Sequence, residues 1–301
     1  MKFRGLIISL KELNIAQEKD AERFVMEDGL TELLDNMYRY GVQIVNLDMF
    51  GADCREKLQA VLGLCQLAPE DCLLLTATDR VLSIIEGMDM AVLGYINPRI
   101  PGQKFSGAGV LVESFEEVEF SFLEHAYQRK HNIPWTVIET RRCFLREMTL
   151  EDLDDLYKLY QGKGITKYME GLYERKKEEE YTKAYIKNVY RFYGYGMWLA
   201  IDRKNGQLIG RAGLNNLNLH GEAALEMGYV VGEKFQNQGY ATELCQAILA
   251  FAQKNTGFER VQCLIHKDNR VSIHLAENLG FAWKEEMEVQ GKTLQRYEKV
   301  L

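Results

Sequence analysis

Through the first 95 residues, short apolar runs alternate with stretches whose apolar residues recur at helical spacing. Residues 5–10 form one such run, suited to a buried strand, and a helical segment follows. After Asp28-Gly29, Leu30, Leu33, Leu34 and Met37 fall on one helical face, and Gly41 closes that helix. VQIVNLDMF (42–50) predicts a second strand, residues 55–67 a helix, CLLLTAT (72–78) a third strand, 81–87 a helix and 90–95 a fourth strand. Strand and helix in strict alternation predict an α/β unit with a parallel, doubly wound sheet.

The pattern then changes. HNIPWTVIETRR (131–142) holds a proline and no long polar run, so it reads as a short connector. CFLREM opens a new strand, Thr149 is placed to cap a helix with Asp152 three residues on, and Leu153, Leu156 and Leu159 give that helix its apolar face. A tyrosine-rich stretch follows from Tyr168 to Tyr195, in which Tyr181 and Tyr185 share a helical face and the run ERKKEEE (174–180) reads as solvated. MWLAID and QLIGRAGLNN flank Lys204-Asn205-Gly206, a hairpin signal. Leu225, Met227 and Tyr229 alternate into Val230 and Val231 as a strand; QNQGYA (236–241) makes a small-residue turn and a helix runs to Phe251. RVQCLIH and DNRVSIHLAENLGF supply a last strand and helix. This half predicts a mixed, mostly antiparallel sheet.

Composition narrows the classes. With 301 residues, 47% hydrophobic and 27% charged, the chain is long enough for two cores. The net charge of −7 sits in the first half: residues 1–140 carry 13 Lys/Arg against 22 Asp/Glu, the remainder 24 against 22. Nothing here resembles a basic nucleic-acid surface. The six cysteines show no CxxC pairing and mostly lie in apolar runs, as reduced core residues of a cytoplasmic protein do. No metal-ligand spacing is present. The first apolar run is too short for a signal peptide and no stretch reaches membrane-spanning length.

Three stretches of the first half, DGLTELLDNMYRYGVQIVNLD, PEDCLLLTATDRVLSIIEGMDMAVLGYINP and GAGVLVESFEEV, resemble the haloacid dehalogenase-like fold. The resemblance covers residues 1–138 and implies a phosphatase-like domain without its chemistry. Where that family keeps an aspartate nucleophile and a second aspartate, this chain has Ser9 and Lys11; the later magnesium-binding acidic pair falls at Thr76 and Ala77. The four prolines follow Ala68, Asn97, Ile100 and Ile133, so the family's Lys-Pro pair is also missing. Without nucleophile and metal carboxylates there is no route to an aspartyl-phosphate. Asp48 and Asp79 remain near strand ends, where turn or cap carboxylates are ordinary.

The second half, residues 142–301, is similar to the GNAT acetyltransferases, nearest in kind to the branch that acetylates ribosomal-protein α-amines and small molecules. EMGY, QNQGYATE and DNRVSIHLAENLGF carry the likeness in order and spacing. In that family a Q/R-x-x-G-x-G/A turn wraps the coenzyme A pyrophosphate, and Gln236, Gly239 and Ala241 hold those positions, with Asn237, Gln238, Tyr240 and Thr242 filling the turn. A turn that opens a helix offers unpaired N–H groups to a phosphate, and small residues let the backbone approach. The family's asparagine at the pantetheine arm corresponds to Asn269, and the Gly280-Phe281 pair ends its helix. Tyr229, Val230 and Val231 would offer a strand edge to the pantetheine amides, and an N–H of Val230 or Val231 would face the thioester oxygen. The resemblance thus implies acetyl-coenzyme A as the cofactor and an amine as the acceptor.

Attack by an amine needs a base, since amines are largely protonated near neutrality. Glu226 matches the glutamate of the family's E-x-G-Y signature and is the first candidate, against a plain structural carboxylate. Many relatives protonate the leaving thiolate with a tyrosine seven residues after the motif asparagine, a place taken here by Ala276; Ser272 is the candidate instead, against a packing role. His266 and His274 read as strand-end or surface residues, Cys245 and Cys263 as core, so no acyl-enzyme is expected. The tyrosines from Tyr168 to Tyr195, with Trp198, lie where the family builds its acceptor cleft, and an aromatic-lined groove would suit a peptide N-terminus or a hydrophobic amine, although core packing explains most of them. The expected function is an N-acetyltransferase with a non-catalytic first domain that scaffolds, forms a homodimer or helps choose the acceptor. A non-catalytic acetyl-coenzyme A-binding regulator and a residual phosphatase are the rival readings.

Overall fold

Gly5–Ile8, buried along its length, forms β1, an interior strand of a five-stranded sheet. The structure, a computed structural model, describes residues 2–13, 28–51, 54–289 and 291–301. The chain divides into two units, Met1–Ile133 and Pro134–Leu301.

In the first unit β1 is followed by α1 (Leu10–Leu13), α2 (Leu30–Arg39), β2 (Gln43–Asn46), α3 (Leu47–Phe50), α4 (Arg55–Leu64), β3 (Cys72–Thr76), α5 (Asp79–Ile85), β4 (Ala91–Tyr95), β5 (Val110–Val112) and α6 (Phe120–Lys130). All the strands pair in parallel, in the order β2-β1-β3-β4-β5. Alternate residues feed two cores: Leu6, Ile8, Leu73 and Leu75 pack with Leu33 of α2 and Leu123 of α6, and Ile7 and Leu74 pack with Leu58 of α4 and Ile85 of α5. Helices therefore cover both faces, as the alternation predicts.

Two local readings need correcting. The strand expected over 42–50 ends at Asn46, because the Asn46 side chain accepts from the Asp48 N–H at 3.1 Å and starts α3. Helix α6 has no counterpart in the sequence reading, although its buried Leu123, Ala126 and Tyr127 fall at helical spacing.

The second unit begins with β6 (Thr136–Glu139) and continues with β7 (Cys143–Arg146), α7 (Leu153–Tyr160), α8 (Arg175–Tyr185), a π turn (Ile186–Tyr190), α9 (Arg191–Tyr193), β8 (Met197–Asp202), β9 (Leu208–Leu219), β10 (Glu222–Val231), α10 (Tyr240–Asn255), β11 (Arg260–His266), α11 (Arg270–Asn278), β12 (Ala282–Val289) and β13 (Lys292–Val300). Its eight-stranded sheet has the order β12-β13-β11-β10-β9-β8-β7-β6. Residues 136–139, expected in a connector, are instead the edge strand β6, antiparallel to β7. The capping box at Thr149 and Asp152 forms as predicted.

Successive side chains point to opposite faces of the sheet. On one face the Trp198 ring meets the Phe251 ring of α10 edge-on at 5.1 Å. On the other, Tyr185 and Tyr190 grip the start of β8: the Met197 N–H donates to the Tyr185 hydroxyl at 2.8 Å, and the Tyr190 hydroxyl donates to the Met197 carbonyl at 2.5 Å. β10 pairs with β9 along its whole length but with β11 only at Leu225–Val261 and Glu226–Gln262, in parallel. From Met227 to Val231 the β11 side of β10 is without a ladder.

Candidate active site

The turn after β10 is braced by its own glutamines. Gln236 Nε2 donates to the Val231 carbonyl at 3.0 Å and Gln238 Nε2 to the Lys234 carbonyl at 2.7 Å. Asn237 (φ 58°) and Gly239 (φ 78°) take the left-handed conformation that reverses the chain into α10, and glycine alone adopts it without cost. Among the described residues, no N–H from Asn237 to Thr242 has an acceptor. These donors sit at the N-terminus of a 16-residue helix, whose dipole favours an anion.

A cation from outside the turn locks it. The Arg142 backbone N–H donates to Glu243 Oε1 at 2.8 Å, its Nε to Glu243 Oε2 at 2.6 Å and its Nη1 to the Gln238 carbonyl at 2.9 Å. The guanidinium carbon lies 4.0 Å from the centre of the Tyr240 ring. Burial alone would raise the Glu243 carboxyl, but hydrogen bonds from Arg142 and Thr140 outweigh it and hold the group below its ordinary range. Arg142 escaped the sequence reading because it lies in the expected connector, about a hundred residues from the turn it holds.

Glu226 is half-buried on β10, opposite Asn215 of β9 and beside Gln262 of β11, at the last rung before the ladder with β11 ends. Burial pushes its carboxyl up to about 7, opposed by a hydrogen bond from Asn215. Val230, four residues on, projects from the same face; Tyr229 projects from the other.

On that other face the Tyr229 hydroxyl donates to Ser272 Oγ at 3.0 Å, and the Ser272 N–H donates to Asn269 Oδ1 at 3.3 Å. Asn269 thereby caps α11. Burial raises the Tyr229 hydroxyl pKa, partly offset by Ser272, so the tyrosine stays protonated. Ala276, in the place of the usual tyrosine, is buried. The two expected catalytic residues are thus on opposite sides of β10, and the hydroxyl pair on one side was not foreseen. Cys245 and Cys263 are buried thiols with raised pKa values, in keeping with core roles.

The expected aromatic groove is smaller than the sequence suggests. Trp198 is 0% exposed and belongs to the core on the α10 face. Tyr185 does cluster with Tyr181 (ring centres 5.8 Å apart, tilted) and Tyr190 (5.1 Å, edge-on). The run ERKKEEE is not wholly solvated: Glu178 is 2% exposed and accepts from the Tyr173 N–H at 2.9 Å. Arg211 of β9, also outside the sequence reading, is buried against these tyrosines, with its guanidinium carbon 5.8 Å from the Tyr185 ring centre.

In the first unit the strand ends are tied internally. Ser9 Oγ donates to Asp48 Oδ1 and the Lys11 N–H to Asp48 Oδ2, both at 2.9 Å; Thr76 Oγ1 donates to Glu12 Oε2 at 3.1 Å; the Lys104 N–H donates to Asp79 Oδ2 at 3.0 Å. Burial raises the Glu12 carboxyl against hydrogen bonds from Thr78 and Thr76. Among the described residues no cluster of three His, Cys, Asp or Glu could hold a metal ion, and no helix is long and apolar enough to cross a membrane.

Residues 142–282 match the family model described as the acetyltransferase (GNAT) domain, so that stretch is a GNAT acetyltransferase domain and the chain is an acyltransferase. The chain is 26% identical over 165 residues to the uncharacterized protein YkkB of Bacillus subtilis (strain 168), which covers 54% of this chain and 95% of that one. It is 28% identical over 144 residues to the uncharacterized N-acetyltransferase YnaD of the same organism, covering 48% and 81% respectively. Among solved structures, the acetyltransferase from Agrobacterium tumefaciens str. C58 aligns with a TM-score of 0.47 and 21% identity, over 55% of this chain and 94% of that chain.

Proposed function

We propose that the second unit transfers acetyl from acetyl-coenzyme A to a primary amine, of a small molecule or a protein N-terminus, by direct attack within a ternary complex. One observation carries this reading: a turn whose N–H groups from Asn237 to Thr242 are unpaired follows directly on a strand edge, Met227 to Val231, that β11 leaves open. A pyrophosphate fits the first and an extended amide-bearing arm fits the second. When bound, the cofactor supplies an activated acetyl thioester.

The chain's own residues do the rest. Gln236, Asn237, Gln238, Gly239, Tyr240, Ala241 and Thr242 form the turn, whose backbone donors take the phosphates, and Tyr229, Val230, Val231 and Asn269 flank the arm. The Val230 or Val231 N–H polarises the acetyl carbonyl. Glu226 takes the proton from the amine, directly or through a water, and its pKa of about 7 suits that exchange at neutral pH. Ser272, which accepts from Tyr229 and keeps its own proton free, serves the departing thiolate.

For the first unit the proposal is a haloacid dehalogenase-like domain that has lost phosphatase chemistry and scaffolds, dimerises or helps choose the acceptor in the cytoplasm. The hold of Asp48 on Ser9 and Lys11 supports this, since the place of a nucleophile is occupied by a structural hydrogen bond.

The test is a thermal-shift titration with acetyl-coenzyme A, followed by thiol release across amine and peptide panels. Stabilisation and acceptor-dependent release are expected; no stabilisation by the cofactor removes the proposal.

A further inference from the structure

We infer that the acceptor carries a carboxylate as well as its amine, and that Arg211 holds that carboxylate. The inference rests on the proposed function and names the class of acceptor the site takes.

Arg211 is 8% exposed, and its Nε has no acceptor among the described residues. Other arginines in this unit that are less than a third exposed each have a carboxylate: Arg142 has Glu243, Arg146 has Asp152, and Arg296 has Glu285 and Glu298. No carboxylate among the described residues pairs with Arg211. Its guanidinium shares hydrogen bonds with Tyr160 and Tyr181 and lies by Tyr185 and Tyr190, and burial keeps the last three in the neutral phenol form. A phenol can accept a hydrogen bond from a guanidinium but cannot neutralise it, and a buried cation without a counter-ion is costly unless a ligand supplies one.

The position suits an acceptor. Arg211 lies directly across from Val230, one of the two residues whose N–H is assigned to the acetyl carbonyl, and on the same face as Glu226, the assigned base. Glu226 and Val230 are four residues apart, so roughly 13 Å of strand separates base from anion site, and the long arginine side chain can close part of that distance. A di- or tripeptide with a free carboxylate reaches roughly 7–11 Å from amine to carboxylate and covers most of that span, while a free amino acid relies on the arginine side chain and a bridging water for the rest. The planar guanidinium fork matches a carboxylate in two-point contact, which a carboxamide cannot reproduce.

The experiment compares amino acids and di- and tripeptides as pairs, free acid against carboxamide, by the rate of thiol release from acetyl-coenzyme A. At least one pair should show a KM about tenfold lower for the acid with kcat nearly equal, as loss of a charge-assisted contact predicts. Arg211→Gln should bring the acid-to-amide ratio to within about twofold of one by raising the KM of the acid. Arg211→Lys, which keeps the charge but not the fork, should retain part of the ratio; it decides the matter if Arg211→Gln does not fold, folding being read from stabilisation by acetyl-coenzyme A. Equal use of acids and amides, a ratio that survives both substitutions, an equal loss on both members of a pair, or preference for a phosphorylated amine overturns the inference while leaving the cofactor reading intact. Absence of stabilisation of the wild type by acetyl-coenzyme A overturns the proposed function itself.

Discussion

The Tyr229 hydroxyl donates to Ser272 Oγ at 3.0 Å, joining the central strand to the first turn of α11. Because the serine oxygen accepts there, its own hydrogen is free to point elsewhere. Ser272→Ala should lower kcat on the order of a hundredfold, the lower range for loss of a proton donor, with little change in the acetyl-coenzyme A KM. Tyr229→Phe should cost about tenfold, the effect of one hydrogen bond to a reacting group. The double variant should be no slower than Ser272→Ala alone, since both changes act through one oxygen. Steady-state kinetics on the four proteins checks this, and additive losses would separate the two residues.

Glu226 sets a pH profile with a defined sign. Its folded pKa of about 7 exceeds the ordinary carboxylate value of 4.5, so the basic form accumulates only as pH rises through about 7. kcat should rise over that range, and Glu226→Gln should be slower by about a hundredfold or more at neutral pH, with the deficit shrinking at high pH where free amine is abundant. Stability runs the other way. The folded state holds the proton more tightly than the unfolded chain, so this group's contribution falls as pH climbs from 4.5 to about 7. Glu226→Gln should therefore gain melting temperature relative to wild type at pH 8 and lose that advantage at pH 4.5, measured by differential scanning calorimetry.

Arg142 touches the Gln238 carbonyl, the Tyr240 ring and the Glu243 carboxylate at once. Arg142→Ala should weaken acetyl-coenzyme A binding about tenfold, the equivalent of one charged hydrogen bond, because the turn is no longer held ready. At saturating cofactor kcat should stay within about twofold, since the contacts of Arg142 are with the turn and not with Glu226 or Ser272. Titration calorimetry and kinetics at two cofactor concentrations distinguish the outcomes.

Glu178 is a structural carboxylate within a charged run. Its removal leaves the Tyr173 N–H without its 2.9 Å acceptor. Glu178→Ala should destabilise the fold by about 1–3 kcal/mol in urea titration, and Glu178→Gln by less, because the amide oxygen still accepts.

Much of the architecture was legible because it follows from periodicity. The strand–helix alternation up to Tyr95 gave the parallel sheet, and the turn at Gly239 announced itself through small residues at the mouth of a helix. What stayed hidden depends on distant pairing. β6 is a strand because β7 offers it an edge, and its short TVIE run carries no signal of its own. Arg142 and Glu243 are about a hundred residues apart and have meaning only as a pair. Glu178 and Arg211 break the rule that charges lie outside: Glu178 turns in to accept from the Tyr173 N–H and Arg211 lies against Tyr185, contacts that periodicity does not announce. Trp198 is the converse case: an aromatic near the cleft in sequence that faces the other side of the sheet.

The two rungs between β10 and β11 make the eight-stranded sheet a pair of ladders, β6 to β10 and β11 to β13, sharing a short joint. Each ladder is continuous and antiparallel within itself, so the joint is where the sheet opens first. A ligand lying along Met227 to Val231 is then a splint as much as a reactant. Amide hydrogen exchange should report it as slowed exchange on both flanks of the joint, and the loss of that slowing after product departs would couple each catalytic cycle to a brief loosening of the last forty residues against the rest of the sheet.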